Sequence, residues 1–338
     1  MRAVRIALFT GGTSEERQVS LASGKEVLKA LRARGHTVGT VDTATGFVPP
    51  GEEERLFPSE VGTEPPDSLA LGSACDPSAL FRLTELDVVV EADVVFLALH
   101  GSPAEDGRLQ ALLDLAGIRY TGTGCLGSAV AWDKRISKEL FEACGVPTPP
   151  WMPVGLEPEE IVDRLGLPLA VKPSGGGSTI GLSVVHAAED LPAAMEHASR
   201  FDPDVLVERY VTGRELTVGV LEDEALPVLE ITPSHEIYDY ECKYTPGLTS
   251  YQVPAPLDAA EARELGRLAL TAHRALRQGS FGRVDFVRGD ADGVFYCLET
   301  NSLPGMTATS LLPKAAAAVG VPFPEMCERI AAAALEEA

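Results

Sequence analysis

Three residues carry the most specific chemistry in this chain: Asp285, Glu299 and Asn301. They sit in two apolar runs, "GRVDFV" (282–287) and "YCLETN" (296–301), separated by the short link "RGDADG". A strand turns alternate side chains to one face, so Glu299 and Asn301 point the same way. A hairpin-like pairing of the runs brings Asp285 beside them. Three hard oxygen donors, with room left for phosphate oxygens and water, describe a Mg²⁺ site of the ATP-using kind. The competing view is a solvated sheet face with three polar residues. Burying two unpaired carboxylates in otherwise apolar strands is expensive, which favours the metal.

A second stretch, "VKPSGGGSTIGLSVV" (171–185), ends a strand at Lys172 and passes through Gly175, Gly176 and Gly177. Ser178, Thr179 and Gly181 then open the next strand. Glycines let backbone N–H groups approach an anion, and hydroxyls add donors. The lysine precedes the loop and strands flank it, so this is not a P-loop. A β-hairpin lid over a triphosphate and a plain glycine-rich hairpin both fit the stretch on its own. "LVERYVTGRELTV" (206–218) places Glu208 at a strand end and Glu215 seven residues on. Such a strand end can read an adenine edge and a carboxylate can hold ribose hydroxyls, but in isolation a solvated strand rim is the better reading of the stretch.

These groups need a scaffold, and the chain supplies one. "VRIALF" (4–9), a helical "LASGKEVLKALRARG" closed by Gly35 and "TVGTVDT" (37–43) form a β-α-β start, which implies a parallel α/β layer. Residues 44–90 are rich in Pro, Glu and Gly and read as an elaborated, partly mobile connection. "DVVFLALH" (93–100) is a buried strand, followed by a helix over 106–117. One helix is predicted over 128–145, then strands at 169–173, 182–186 and 204–211. The last part holds the strands "ELTVGVL", "ALPVLEI", "GRVDFVR" and "VFYCLE", flanked by helices over 258–277 and 310–336. The domains expected are 1–123, 124–213 and 214–338.

Of 338 residues 45% are apolar, enough for large cores, and the formal charge is −22. That charge argues against broad binding to nucleic acid or anionic membranes. Cationic groups stand at isolated points: Lys134, Lys172, Lys243 and Arg283. Cysteines 75, 125, 144, 242, 297 and 327 show neither C-x-x-C nor zinc spacing and read as free thiols. The opening "MRAVRIALFTGG" is too short an apolar run for a signal peptide, and no run approaches a membrane span. A cytoplasmic setting is expected.

The chain resembles the D-alanine–D-alanine ligase family of the ATP-grasp superfamily. The resemblance runs from "GGTSEERQVSLASG" through "ALHGSPAEDGRLQ", "DKRISK", "VKPSGGGSTIG", "EIYDYECKY" and "GRVDF" to "LETNSLPGMTATSLLP". It implies an ATP-grasp fold: an N-terminal parallel α/β domain and two α+β subdomains that sandwich ATP. It also implies ligation of two D-alanines through a D-alanyl phosphate, for peptidoglycan precursor synthesis. By the resemblance, Lys134 and Lys172 hold the α- and β-phosphates, with Ser178 and Thr179 in the lid. Glu208, Val211 and Glu215 meet adenine and ribose, and Lys243 in a mobile ω-loop reaches the γ-phosphate. Asp285, Glu299 and Asn301 bind two Mg²⁺ ions, with Mn²⁺ as a substitute. Glu16 holds the first D-alanine's ammonium and is tied through Ser178 to Tyr244, which closes the ω-loop. His100 lies near the first carboxylate, and Arg283 and the Gly305 N–H surround the developing oxyanion. Ser310 and Leu311 clamp the second carboxylate. That last role agrees with elementary physics, because Ser310 opens a helix with Pro313 in its first turn, and a helix N-terminus offers free N–H groups to an anion.

The family's usual H-G-x-x-G-E-D-G is "HGSPAEDG" here, with Ala104 in place of glycine. A left-handed alanine there would cost about 1 kcal/mol, so a remodelled loop is expected. Three alternatives share parts of the pattern: a D-alanine–D-lactate or D-alanine–D-serine ligase, another ATP-grasp carboxylate–amine ligase, and a non-catalytic nucleotide-binding regulator. "YDYECKY" favours the dipeptide enzyme over the first, and retention of Lys172, Arg283, Asp285, Glu299 and Asn301 argues against the last. The resemblance further implies a homodimer formed through the first domain, acting on D-alanine and ATP.

Overall fold

The computed structural model describes residues 2–57, 78–153, 155–245, 247–307 and 310–336, with the side chains of 78, 79, 240 and 244 outside that description. Fourteen strands in three sheets carry the described chain. The first sheet holds β1 (Arg5–Thr10), β2 (Thr37–Asp42), β3 (Gly46–Val48) and β4 (Val94–Leu97) in the order β3-β2-β1-β4. β1 pairs parallel with β2 and β4, and β3 adds an antiparallel edge. The β-α-β expectation therefore holds. Its helix, Arg17–Ala33, starts earlier than the apolar pattern suggested, and Glu16 stands at its N-cap without a capping bond. Within 44–90 the structure has β3 and short helices at Glu53–Leu56, Ser78–Leu83 and Asp87–Val90, where no regular structure was expected. Residues 58–77 of that connection lie outside the described residues.

The second sheet holds β5 (Trp151–Pro153), β6 (Leu169–Pro173), β7 (Ser183–Val185) and β8 (Val205–Arg209), in the order β5-β8-β6-β7, all antiparallel. The glycine loop joins β6 to β7. The third sheet contains β9 (Gly213–Leu221), β10 (Glu224–Ala225), β11 (Leu229–Pro233), β12 (Thr249–Gln252), β13 (Phe281–Gly289) and β14 (Phe295–Asn301). Its order is β12-β11-β9-β13-β14, with β10 beside β9. "ALPVLEI" is thus two strands, β10 and β11, rather than one.

Two long helices predicted from sequence are broken in the structure. The helix expected over 128–145 is two, Cys125–Trp132 and Lys134–Ala143. Asp133 between them is extended, and its carboxylate accepts from Arg135 N and Ile136 N as an N-cap. It also accepts from the Ser174 hydroxyl at 3.0 Å, while Lys134 N donates to Ser174 O at 3.0 Å. The break therefore docks a helix N-terminus on the turn that leaves β6. The helix expected over 310–336 divides at left-handed Gly320 into Leu311–Ala318 and Phe323–Glu336. The second piece buries Met326, Ile330 and Ala331 in the same core as β1, β4 and the helix Arg17–Ala33. The C-terminal chain thus completes the N-terminal layer. A second core joins β9, β13 and β14 to the helix Ala259–Ala275 and to Phe141, and a third fills the β6–β8 layer. The helix Ala259–Ala275 begins at a full capping box, Asp258 with Glu261.

Candidate functional site

The β13–β14 pair builds the centre of the site. Asp285 lies opposite Glu299 and Arg283 opposite Asn301, so all four side chains share one face. The register shifts after Asp285, where Phe286 pairs with Cys297. Leu298 is the extra residue of a bulge, which sends Cys297 into the core and keeps Glu299 on the site face. Arg283 grips Asp285 with two bonds, Nε–Oδ1 at 2.9 Å and Nη2–Oδ2 at 2.8 Å. Thr217 Oγ1 donates to Asp285 Oδ1 at 2.6 Å, and Asn301 Nδ2 donates to Oδ2 at 3.0 Å. Burial alone would raise the Asp285 carboxyl, but Arg283, with Thr217 and the charge of Lys243, holds it below its ordinary range. The carboxylate is therefore kept ionised. Burial pushes the Cys297 thiol well up, so that neighbour stays neutral.

A cavity of about 340 Å³ opens between the second and third sheets. Lys134, Lys172, Thr179, Glu208, Val211, Glu215, Lys243, Arg283, Asp285 and Glu299 all line it. Apolar wall comes from Ala170, Leu216, Phe286 and Leu298. Lys172 Nζ pairs with Glu208 Oε1 at 2.6 Å. Lys134 Nζ donates to Gly176 O at 2.5 Å and lies 3.6 Å from Glu299 Oε2. Burial lowers the Lys134 ammonium against the pull of Glu299. Burial pushes the Glu215 carboxyl up to about 7, with Lys243 opposing.

A second group lies on the N-terminal side. The Ser178 hydroxyl donates to Glu16 Oε1, joining the lid to the first β-α turn. Ser178 and Thr179 are left-handed, with φ of 53° and 60°. His100 is buried, its backbone N–H donates to Ser20 Oγ at 2.9 Å, and its Nε2 meets Ser23 Oγ at 3.2 Å. Ser23 Oγ in turn accepts from Met306 N at 3.2 Å, so His100 and the turn after β14 share one hydroxyl. Burial lowers the His100 imidazole and keeps it neutral, although Glu16 pulls it up. Gly305 is packed so that a Cβ would lie 2.7 Å from Ser310 Oγ. Ser310 is the N-cap of Leu311–Ala318, but its hydroxyl meets Thr307 N at 3.0 Å and Thr307 Oγ1 at 2.8 Å rather than the helix amides.

Arg283 and Glu299 link the two clusters: both line the cavity, the charge of Arg283 reaches His100 and Glu105, and that of Glu299 reaches Glu105. The Leu311 side chain is buried against Leu229 and Ile231, so at this helix N-terminus the group it can offer a ligand is its backbone amide. The ω segment forms a short helix, Tyr240–Tyr244, capped by Asp239, which accepts from Cys242 N at 2.8 Å. Lys243 Nζ lies 5.2 Å from the Tyr238 ring centre. The Tyr244 side chain, and with it the expected Tyr244–Ser178 tie, lies outside the described residues. Ala104 is buried and absent from the left-handed residues, so the "HGSPAEDG" loop accepts it without that strain.

Two further groups belong to the site although sequence reasoning did not single them out. Glu105 accepts from Gly101 N at 2.6 Å, and burial with the charge of Glu16 pushes its carboxyl up to about 8. Lys138 is fully buried, 2.7 Å from Glu208 Oε2. The usable signal was its spacing: Lys134 and Lys138 are one helical turn apart on one face.

The profile of the "D-ala D-ala ligase N-terminus" matches residues 5–123, and that of the "D-ala D-ala ligase C-terminus" matches 140–332. A D-alanine–D-alanine ligase of Anaeromyxobacter sp. (strain Fw109-5) is 42% identical, covering 96% of this chain and 95% of its own. One from Geobacter sulfurreducens is 40% identical, covering 98% and 94%. The crystal structure of the Bacillus anthracis D-alanine–D-alanine ligase complexed with ATP superposes with a TM-score of 0.78 at 30% identity, covering 99% of this chain and 98% of that one.

Proposed function

The chain belongs to the D-alanine–D-alanine ligase family, and from that premise we propose how its residues join two D-alanines with ATP. The fold is ATP-grasp, and the activity is the ADP-forming ligation that makes D-alanyl-D-alanine for peptidoglycan. The observation that carries the assignment of parts is that the Glu16–Ser178 clasp sits at the cavity's edge, Ser178 lying between Gly177 and Thr179, which line it. ATP occupies the cavity. Its adenine lies against Ala170, Leu216 and Phe286, with Glu208 and the chain through Val211 at its edge. Glu215 accepts from the ribose hydroxyls. Lys134, Lys172 and Lys243 line the phosphate end.

Asp285, Glu299 and Asn301 supply hard oxygens at adjacent strand positions, and an ionised Asp285 suits a divalent cation. They would hold two Mg²⁺ ions, with Mn²⁺ as a substitute, which neutralise phosphate charge when bound. Glu16, fixed by Ser178, accepts from the first D-alanine's ammonium, and neutral His100 lies by its carboxylate. A carboxylate oxygen attacks the γ-phosphorus as the bond to the β-phosphate oxygen breaks, giving D-alanyl phosphate and ADP. The second D-alanine's amine then attacks the acyl carbon. Arg283 and the Gly305 N–H stabilise the oxyanion, phosphate leaves and the amine loses its proton. The Ser310 cap and the Leu311 amide receive the second carboxylate at the helix N-terminus. The glycine loop and the ω segment exclude water, to which an acyl phosphate is vulnerable.

The proposed units are 1–123, 124–213 and 214–338, supported by one sheet in each, although the C-terminal helices pack on the first. Among the described residues no helix is long and apolar enough to cross a membrane. A cytoplasmic homodimer acting on small molecules completes the proposal. The test is phosphate release with ATP, Mg²⁺ and D-alanine, with the product identified by mass. Alanine-dependent release with one dipeptide per phosphate is expected. Release without dipeptide, or a preference for D-lactate or D-serine as second substrate, overturns the assignment.

A further inference from the structure

Behind the cavity wall lies a group that the reaction above does not use. Lys138 is fully buried on the helix Lys134–Ala143, and unlike Lys172 and Glu208 it does not line the cavity. Its ammonium has three partners: Glu208 Oε2 at 2.7 Å, Thr148 Oγ1 at 2.6 Å and Pro149 O at 3.4 Å. Thr148 is itself anchored, donating to Cys297 O at 2.9 Å. Two of these contacts are hydrogen bonds and the one to Glu208 is a buried ion pair, so Lys138 is held facing Glu208 and away from the cavity. Glu208 is also buried, and its other oxygen takes Lys172 at 2.6 Å. Two cations therefore share one carboxylate, and one of them faces the cavity. The redundancy has a use. When phosphates draw Lys172 away, a lone buried carboxylate would be expensive and would take up a proton.

We propose that Lys138 is a positioning residue for nucleotide selectivity: it keeps Glu208 a fixed, ionised acceptor, so that the cavity takes a 6-aminopurine nucleotide and rejects a 6-oxopurine one. The inference rests on the reading that the purine lies beside Glu208. An ionised carboxylate only accepts hydrogen bonds. It pairs with an exocyclic amine and repels an exocyclic oxygen. A protonated or swinging carboxyl loses that distinction, because it can also donate to the oxygen.

The test is calorimetric binding of ADP and IDP, together with kcat/KM for ATP and ITP, in the wild type and in Lys138→Met. The ADP-to-IDP and ATP-to-ITP preferences should both fall by about tenfold or more, as expected for losing control of a charged hydrogen bond. Thr148→Val, which removes one anchor of Lys138, should lower both preferences less and in the same direction. It serves if Lys138→Met does not fold. In Glu208→Gln, whose amide can donate or accept, the preference should collapse, and adding Lys138→Met should change it no further. Equal losses for the amino and oxo nucleotides, or unchanged preference in folded Lys138→Met and in Thr148→Val, overturn the proposal. Because ADP and IDP binding needs no D-alanine, the outcome is separable from whether the dipeptide forms.

Discussion

Ser178 offers the sharpest separation of side-chain chemistry from backbone conformation. Its hydroxyl donates to Glu16 across 162 positions of sequence, and its backbone is left-handed with φ of 53°. Replacement by alanine removes the bond and keeps the conformational cost. Replacement by glycine removes both. A hydrogen bond to a charged group is worth about 1.5–3 kcal/mol, so roughly ten- to hundredfold in rate if it is expressed fully at the transition state. A left-handed non-glycine residue costs about 1 kcal/mol, so the glycine variant should be the more stable of the two. The assay is kcat/KM for D-alanine at saturating ATP, beside thermal unfolding. Both variants should lose D-alanine kcat/KM by a similar factor, with the KM for ATP changed far less. If the glycine variant works like the wild type while the alanine variant fails, the turn conformation matters and the clasp on Glu16 does not. If both work like the wild type, the clasp has no part in substrate binding.

Glu299→Gln should lose most turnover with little change in melting temperature, since the side chain is partly exposed and its nearest cation, Lys134, keeps Gly176 O; wild-type turnover at limiting Mg²⁺ would refute the metal role. Glu105→Gln tests a stability effect. With its carboxyl pushed up to about 8, the folded protein holds a proton that the unfolded chain has released, so stability falls as pH rises from the ordinary glutamate range through 8. Without the titrating group, the melting temperature of the variant should decline less over that window, and parallel profiles would show that Glu105 ionises normally in the fold.

Much of this site was legible because its signals are local. Strand alternation placed Glu299 and Asn301 on one face, and the order of lysine, glycines and hydroxyls in 171–185 described a hairpin loop. One boundary that failed was decided by a distant partner. Nothing in "SAVAWDKRISKELFEACG" announces a helix break, since the stretch is helical throughout by pattern. The break arises because Asp133 caps a new helix while bonding Ser174, the first residue after β6. The run 310–336 is a different case: Gly320, Pro322 and Pro324 are local stop signals that a single-helix reading passes over, and the division lets Phe323–Glu336 cover the first sheet.

By itself the sequence determined which side chains are available and which elements carry them, because periodicity, turn chemistry and motif order act over a few residues. It determined that a carboxylate and an amide end a strand, that a flexible loop follows Lys172, and that a helix starts at Ser310. Only the tertiary structure decided the ionisation and the pairing. The bulge at Leu298 faces Glu299 toward Asp285, Arg283 and its neighbours keep Asp285 charged, and burial beside Glu16 keeps Glu105 neutral. It also put Lys138 behind Glu208, seventy residues away in sequence. The reason is physical: desolvation and Coulomb interaction depend on what surrounds a group in space, and those neighbours come from all three sheets.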